Sequence, residues 1–231
     1  MSLVIVKGNI WNTKHKVLVN TVNCEGVMGA GIALESALRF PEMYERYKKI
    51  CEDGMLNVGN LWIYKDSNPY WILNFPTKTY WKLPSKIQYL ESGLKKFVET
   101  YKEKAIESIA FPVLGASNGG LDEKVVLELM CNYLGDLDIP VEIYTYDAKA
   151  PDEYFGEFKE LLLNNDLDNL VIKTKIQKKY LEKIIEHVKR DESICQIIQL
   201  KSIKDIGNST IKKIFLYKHD SITSEQQAFD F

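Results

Sequence analysis

The chain has 231 residues, of which 45% are hydrophobic and 27% charged, values typical of one sizeable globular domain with or without a small appendage. The formal net charge of −2 excludes a strongly basic nucleic-acid coat, although it leaves room for a local basic patch. The widely spaced cysteines predict reduced thiols, and the scattered histidines predict no metal site. The sequence has no apolar run of about 18 residues, which predicts no membrane segment, and MSLVIVKG has no signal-peptide features, which together with the thiols predicts a cytoplasmic location.

The first predicted elements lead into a glycine-rich loop. Leu3 to Lys7 predicts a short apolar strand, and the β-branched run from Val17 to Val22 predicts a buried one. Glycines at positions 26, 29 and 31 follow, and a helical pattern runs from Ile32 to Leu38. Such a loop presents backbone N–H groups and the positive end of a helix dipole, which suits a phosphate or pyrophosphate. A purely structural turn is the alternative.

The middle of the chain combines a helix, two strands and an aromatic-rich loop. Pro41 to Gly54 predicts a helix, and Asn60 to Tyr64 and Tyr70 to Phe75 predict two strands separated by a turn. The segment NFPTKTYW, residues 74–81, leaves the second of these strands and carries Lys78. A helix with a buried apolar stripe is predicted from Ser85 to about Lys102.

A second glycine-rich loop follows the next strand. Ser108 to Val113 predicts an apolar strand that runs into the loop LGASNGGLD, residues 114–122, and Glu123 to Leu134 predicts a helix. Val141 to Tyr146 predicts the last strand of the series, and Pro151 to Leu163 predicts a helix. The alternation of strands and helices predicts an α/β fold with helices on both faces of a largely parallel sheet.

Both glycine-rich loops and the loop of Lys78 are predicted at one edge of that sheet. In parallel sheets, ligands bind beyond the carboxyl ends of the strands. Two loops suited to anions and a lysine on one rim therefore predict a binding cleft, in preference to three unrelated turns. Tyr80 and Trp81 beside Lys78 either stack on a nucleic-acid base or pack on the following helix.

The sequence pattern changes after about Asp166. Gln177 to Arg190 predicts an amphipathic helix and Cys195 to Leu200 a strand, whereas the type of Asn208 to Leu216 is left open. Between Val171 and Lys218 the chain has 12 Lys or Arg and 5 Asp or Glu. This basic excess suits a DNA backbone or an acidic partner surface, and a solvated helix surface is the alternative.

Four motifs in this order resemble a known family. They are GNI near the start, VNTVN followed by GVMGAGIAL, NFPTK with an aromatic residue shortly after, and PVLGASNGGLD. Together they resemble the macrodomain, the ADP-ribose-binding α/β module, and in particular the DarG type, antitoxins that remove ADP-ribose from DNA. They are similar, more distantly, to a human enzyme that releases ADP-ribose from acidic side chains. The resemblance implies a three-layer α/β/α fold with a mixed, mostly parallel sheet over residues 1–165, followed by a small α+β extension over residues 166–231.

The resemblance also implies which residues form the site. Lys78 would be the catalytic residue, Asp122 its acidic partner, and Asn23 would bond a hydroxyl of the distal ribose. ADP-ribose would be bound by Gly8, Asn9, Ile10, Asn20, Asn23, Gly26, Val27, Met28, Gly29, Gly31, Ile32, Thr77, Leu114, Gly115, Ala116, Ser117, Asn118, Gly119 and Gly120. Two positions depart from the family pattern. Asn9 stands where an aspartate usually accepts from the adenine amino group, and Ala116-Ser117-Asn118 replaces more compact residues.

The function implied by the resemblance is hydrolysis of the bond to C1″ of the distal ribose in ADP-ribosylated DNA, single-stranded and linked through thymidine. A lysine ammonium can protonate the leaving group, and a desolvated amine can attack C1″; the sequence leaves both open. No cofactor or metal is implied, and a DarT-like toxin would be a partner through the C-terminal region. The alternatives are an ADP-ribose reader without activity, a hydrolase of protein-linked, O-acyl or 1″-phosphate ADP-ribose, and an interaction protein using the basic C-terminal segment.

Overall fold

The chain divides into two compact units, Met1–Asp147 and Ala148–Phe231. The structure is a computed structural model that describes residues 3–67 and 69–217. The division falls earlier than the domain boundary expected after residue 165, because the helix that begins at Glu153 packs within the second unit. There the buried Tyr154 hydroxyl donates a 2.7 Å hydrogen bond to the carbonyl of Ile214, and the Tyr154 ring stacks on Phe215.

The first unit is built on a six-stranded sheet in the order β1-β6-β5-β2-β4-β3. Neighbouring strands are parallel except for β3, which runs antiparallel to β4 at one edge. The strand β2 lies near the centre, where Val17, Leu18 and Val19 are fully buried. The bounds are β1 Leu3–Gly8, β2 Val17–Val22, β3 Trp62–Tyr64, β4 Trp71–Pro76, β5 Ile109–Pro112 and β6 Val141–Tyr146.

Helices cover both faces of this sheet. One core cluster joins α1 and α2 to the side chains of Leu18 and Ile72, and another joins α3 and α4 to Val19 and Phe75. The predicted three-layer α/β/α fold with a mixed, mostly parallel sheet is therefore confirmed. The bounds are α1 Gly31–Arg39, α2 Pro41–Glu52, α3 Ile87–Thr100 and α4 Glu123–Leu134, and a short 3-10 turn spans Ile10–Asn12.

The described part of the second unit is helical. It contains α5 Glu153–Asn164, α6 Leu167–Thr174, α7 Lys178–Arg190, a 3-10 turn over Ile197–Ser202 and a helical segment over 208–217. The strand predicted at Cys195 to Leu200 is wrong, and the described part of the extension, residues 166–217, contains no strand. Gln196 and Gln199 form a reciprocal capping box that stabilises a tight helical turn in place of an extended segment.

The described residues, 3–67 and 69–217, contain neither a membrane-spanning helix nor a cluster of metal-ligating side chains. Among these residues, no helix combines the length and apolar composition needed to cross a membrane. Within the same ranges, no three side chains of the metal-ligating types lie together.

Candidate functional site

Five strands end at one edge of the sheet. Because β1, β2, β4, β5 and β6 are mutually parallel through their pairings, their carboxyl ends all point to this edge. Three segments leave it: residues 23–30 after β2, which we call the first loop, residues 77–86 after β4, the lysine loop, and residues 114–122 after β5, the second loop. The prediction that both glycine-rich loops and Lys78 share one edge is confirmed by this topology.

The first loop is organised by its own asparagine. Asn23 is 7% exposed, and its amide oxygen accepts from the N–H groups of Glu25 at 2.9 Å and Val27 at 3.4 Å, while its amide nitrogen donates to the Val27 carbonyl at 2.5 Å. The hydroxyl of the buried Tyr47 on α2 donates to the Asn23 carbonyl at 2.7 Å. Asn23 therefore fixes the shape of the first loop, and its predicted bond to a ribose hydroxyl would compete with these contacts.

Glycine is required at two points of this segment. Gly26 has a φ of +81° and lies so close to α2 that an added Cβ would be 3.4 Å from the Lys48 Cα. Gly31 has a φ of +56° and begins α1, whose N-cap residue Ala30 makes no side-chain capping bond. The first backbone N–H groups of α1 are thus left without a side-chain cap, at the end of the helix that favours an anion.

The lysine loop is joined to the first loop by backbone contacts. Thr77 N–H donates to the Val22 carbonyl at 2.9 Å, and Cys24 N–H donates to the Thr79 carbonyl at 3.1 Å. Between these contacts, Lys78 is half-buried, and its Nζ donates a 2.5 Å hydrogen bond to the carbonyl of Asn118 in the second loop. The ammonium group therefore lies at the second loop while its backbone is held against the first.

The second loop is a tight turn that admits no side chain at its base. Gly115 and Gly120 have φ values of +64° and +75°, and a Cβ at Gly119 would lie 2.1 Å from the Gly115 carbonyl oxygen. That oxygen accepts from Leu121 N–H at 3.1 Å, and the Gly119 carbonyl accepts from Ser85 N–H at 3.0 Å. These bonds fix the backbone of the second loop against the lysine loop.

Asn118 brings the two glycine-rich loops together. A Cβ at Gly31 would lie 2.6 Å from the Asn118 side-chain nitrogen, so the tip of the second loop reaches the start of α1. The same residue supplies the carbonyl that binds Lys78. Sequence reasoning assigned Asn118 to ligand binding and missed this bridging contact, because nothing in the local pattern indicates which residues meet across the sheet edge.

Asp122 has a different place from the one expected. Its carboxylate is the N-cap of α4 and accepts from the N–H groups of Lys124 and Val125, both at 3.0 Å. It is exposed, and no ion pair joins it to Lys78 in the described part of the chain. The role of acidic partner to Lys78 therefore has no contact to support it here, and helix capping explains the carboxylate.

Other predicted site residues lie behind the rim. Asn20 is fully buried, and its amide nitrogen donates to the Asn74 side-chain oxygen at 2.9 Å within the sheet. Asn9 is 5% exposed, and its side-chain oxygen accepts from Trp11 N–H at 3.1 Å, as expected of a residue that ends a strand. The Asn9 amide is therefore bonded to nearby backbone and the Asn20 amide to the Asn74 side chain, and a contact of either residue with ADP-ribose stays a prediction.

Exposure separates the remaining predicted residues. The exposed ones are Gly29, Gly31, Ser117, Asn118 and Gly120. The half-buried ones are Val27, Ile32, Gly115 and Ala116, and the buried ones are Gly8, Ile10, Gly26, Met28, Thr77, Leu114 and Gly119. A ligand at this edge would therefore meet mainly the backbone of the two loops.

The groups behind the first loop stay neutral. Burial, reinforced by the nearby Cys51, raises the pKa of the Cys24 thiol to about 11. Burial likewise raises the pKa of Tyr47 and of Cys51. These three groups carry no negative charge near pH 7 that would repel an anion from the first loop.

Two open surface concavities lie elsewhere on the first unit. One of about 440 Å³ lies between α2 and β3, where Arg46 and Asp66 form a 2.7 Å ion pair, and another of about 540 Å³ lies between α3 and α4. Neither contains a residue of the three rim loops. The candidate site is therefore defined by loop geometry and charge, not by cavity volume.

The fold and its glycine-lined rim define a class of protein. The Macro domain family model matches residues 19–130, and the chain belongs to the macrodomain family. Within that family it is similar to the macrodomain of Thermus aquaticus DarG, with 41% sequence identity and a TM-score of 0.59 over 62% of this chain and 97% of that one. It is also similar to DarTG of Thermosipho africanus, solved in complex with ADP-ribose, with 38% identity and a TM-score of 0.60 over 63% of this chain and 42% of that one.

Curated relatives carry a functional name. The DNA ADP-ribosyl glycohydrolase of Thermus aquaticus is 41% identical over 145 residues, which are 62% of this chain and 40% of that protein. The chain thus spans about two fifths of the length of that relative.

Proposed function

We propose that the chain is an ADP-ribosyl glycohydrolase that removes ADP-ribose from thymidine-linked, single-stranded DNA. The observation that carries the proposal is the position of the Lys78 ammonium, 2.5 Å from the Asn118 carbonyl, between two glycine-rich loops. The name of the Thermus aquaticus relative and the ADP-ribose complex of the Thermosipho africanus relative support the same substrate.

The two loops suit the diphosphate of ADP-ribose. Backbone N–H groups at the uncapped start of α1 and along the second loop can donate to phosphate oxygens, and glycine lets the backbone approach them closely. The N-terminus of α4 offers less, because Asp122 already occupies it with a carboxylate. We therefore assign the diphosphate to the first loop with α1, and to the backbone of the second loop.

Lys78 supplies the chemistry in either of two ways. Breaking the bond between C1″ and the base leaves the electron pair on the base and positive charge on the sugar. The Lys78 ammonium can give its proton to the departing base, after which water adds to C1″ and returns one proton to the Lys78 amine. Alternatively, a neutral Lys78 amine can form a bond to C1″ as the base leaves, and water then releases ADP-ribose. Because an ammonium group has three N–H donors, the bond to Asn118 still leaves N–H donors for the departing base.

The antitoxin role is the second part of the proposal. A DarT-like toxin would be the partner, and the fusion of a DNA ADP-ribosyl transferase with a DNA ADP-ribosyl glycohydrolase in a Thermosipho africanus relative supports this pairing. The second unit would provide the contact through its basic excess. Several of its cations are already engaged, since Lys178 pairs with Asp168 at 3.2 Å and Lys183 with Asp205 at 2.5 Å.

Two substrates test the activity. Wild-type protein is incubated with an oligonucleotide ADP-ribosylated on thymidine and with a glutamate-linked ADP-ribosyl peptide, and free ADP-ribose is measured. We expect release from the oligonucleotide and none from it with the Lys78→Ala variant, which controls for contaminating hydrolases. Release from the peptide alone would assign the enzyme to protein-linked ADP-ribose. Binding of ADP-ribose without release from either substrate would make the protein a reader.

A further inference from the structure

Exposed aromatic and basic side chains cluster on the lysine loop. Tyr80, Trp81 and Leu83 are 52%, 49% and 52% exposed, and the Lys82 ammonium lies 5.1 Å from the centre of the Trp81 ring. We call these four residues the aromatic patch. Their exposure argues against the alternative that the two rings pack on α3. Adjacent half-exposed rings are uncommon on a monomer surface without a binding role.

The aromatic patch is exposed although its backbone is fixed. The Glu25 carboxylate of the first loop accepts from Trp81 N–H at 2.7 Å, and the Tyr80 carbonyl accepts from Leu83 N–H at 3.1 Å. The contacts of Thr79 and Ser85 described above hold the two ends of the turn. Rings held on such a turn lose little conformational entropy when a partner stacks on them, so the loop is organised for binding in advance.

The charge around the rings selects the kind of partner. The segment KTYWKLPSK, residues 78–86, contains three lysines and no acidic residue. The Glu25 carboxylate of the first loop accepts from the Trp81 N–H and is one acidic group beside the rings. Aromatic rings interleaved with lysines fit a single nucleic-acid strand, because bases stack on the rings while ammonium groups neutralise phosphates. The lysine loop itself is therefore basic, and it is less suited to the mixed charges of an ordinary protein surface.

We infer that the aromatic patch binds the single-stranded DNA that flanks the ADP-ribosylated nucleotide, with a base stacked on Trp81. This inference rests on the DNA substrate of the proposed function. Trp81 follows Lys78 by three residues, which span at most about 11 Å, or about three nucleotide steps. A strand whose modified base is at Lys78 can therefore reach the aromatic patch with a neighbouring nucleotide. The patch would let the enzyme prefer ADP-ribosylated strands over free ADP-ribose.

Binding measured without chemistry tests the inference. Fluorescence anisotropy measures two affinities of protein that carries Lys78→Ala. One is the affinity for an oligonucleotide bearing one ADP-ribosylated thymidine, and the other is the affinity for free ADP-ribose, which is added as a competitor. We expect Trp81→Ala to weaken binding of the oligonucleotide by roughly 5- to 100-fold and to leave the ADP-ribose affinity within about twofold. Trp81→Phe keeps an aromatic ring and should retain most of the affinity.

Matched controls separate the possible failures. Met55 is also exposed, at 59%, but lies beyond the end of α2, and Met55→Ala should change neither affinity. The inference is overturned if Trp81→Ala and Tyr80→Ala, each added to Lys78→Ala, both bind the oligonucleotide as tightly as Lys78→Ala alone. That result would indicate that the aromatic patch binds a protein partner instead. Failure of the proposed function is seen separately, as absence of cleavage by protein with Lys78 intact. A Trp81-dependent preference for the oligonucleotide supports the patch in either case.

Discussion

Replacing Gly119 with alanine should distort the base of the second loop. The new Cβ would lie 2.1 Å from the Gly115 carbonyl oxygen and 2.4 Å from Ser85 Oγ. The oxygen would have to move by about 0.9 Å to reach even a tight contact of 3.0 Å. Because it accepts the 3.1 Å hydrogen bond from Leu121 N–H that closes the turn, this movement would break that bond.

The structure sets the size of the effect. Loss of one backbone hydrogen bond costs about 0.5–1.5 kcal/mol and overpacking costs about 1–3 kcal/mol, so the free energy of unfolding should fall by about 2–4 kcal/mol. The affinity for ADP-ribose should fall as well, because backbone N–H groups displaced by about 1 Å no longer donate to the phosphate oxygens. We expect the dissociation constant for ADP-ribose to rise by about 100-fold.

Gly120→Ala is the matched control. Its φ of +75° strains an alanine by about 1–2 kcal/mol, but nothing lies within 4 Å of its Cβ, so the Gly115 oxygen stays in place. We expect the ADP-ribose affinity of this variant to change less than about threefold. Calorimetric titration with ADP-ribose and urea unfolding measure both quantities. Unchanged affinity in Gly119→Ala would remove the second loop from the ligand site, and equal losses in both variants would refute the steric argument.

Three further outcomes follow from other contacts. Because the Asp122 carboxylate caps α4, Asp122→Ala should lower the free energy of unfolding by about 1 kcal/mol, measured by urea unfolding, while Asp122→Asn preserves it. Both variants should cleave the oligonucleotide within about threefold of the wild-type rate. A large loss of cleavage rate in a variant that keeps its stability in urea would instead give Asp122 a catalytic role. Gly93→Ala places a Cβ 2.2 Å from Phe75 Cζ in the core, so urea unfolding should show a loss of about 1–3 kcal/mol or more with ADP-ribose affinity unchanged in the folded protein. Because burial raises the pKa of Cys24 to about 11, only about one thiol in a thousand is ionised at pH 8; its alkylation by iodoacetamide, followed by mass spectrometry, should accelerate about tenfold per pH unit up to pH 10, and a plateau by pH 9 would contradict that burial.

Regular elements of the first unit could be predicted from the sequence because their patterns are local. The apolar runs at Val17–Val22 and Val141–Tyr146 and the helix Glu123–Leu134 have the predicted bounds. Buried strands bounded by turn residues leave few alternatives once helices alternate with them. The segment at Cys195 to Leu200 failed because a short apolar run fits a strand or a helical turn equally well, and the capping glutamines decided it.

The candidate site could be predicted only in part. Its two glycine-rich loops and Lys78 were identified, because strand ends of a parallel sheet meet at one edge. The partners of polar side chains were not predicted. Asn23 bonds to nearby backbone N–H groups where a bond to a ribose hydroxyl was expected, and Asp122 does so where a partnership with Lys78 was expected. Tyr47 is a further example, because its place in the predicted helix Pro41 to Gly54 does not indicate the hydrogen bond from its hydroxyl to the first loop.

The most direct test of the account compares cleavage and binding in a single variant. Lys78→Ala removes the ammonium group that bonds to the Asn118 carbonyl of the second loop, without changing any glycine of the two loops. Single-turnover cleavage of the ADP-ribosylated thymidine oligonucleotide should fall by about 100- to 10,000-fold, while the dissociation constant for ADP-ribose changes less than about tenfold. Cleavage at the wild-type rate with unchanged ADP-ribose affinity would contradict a catalytic role for Lys78.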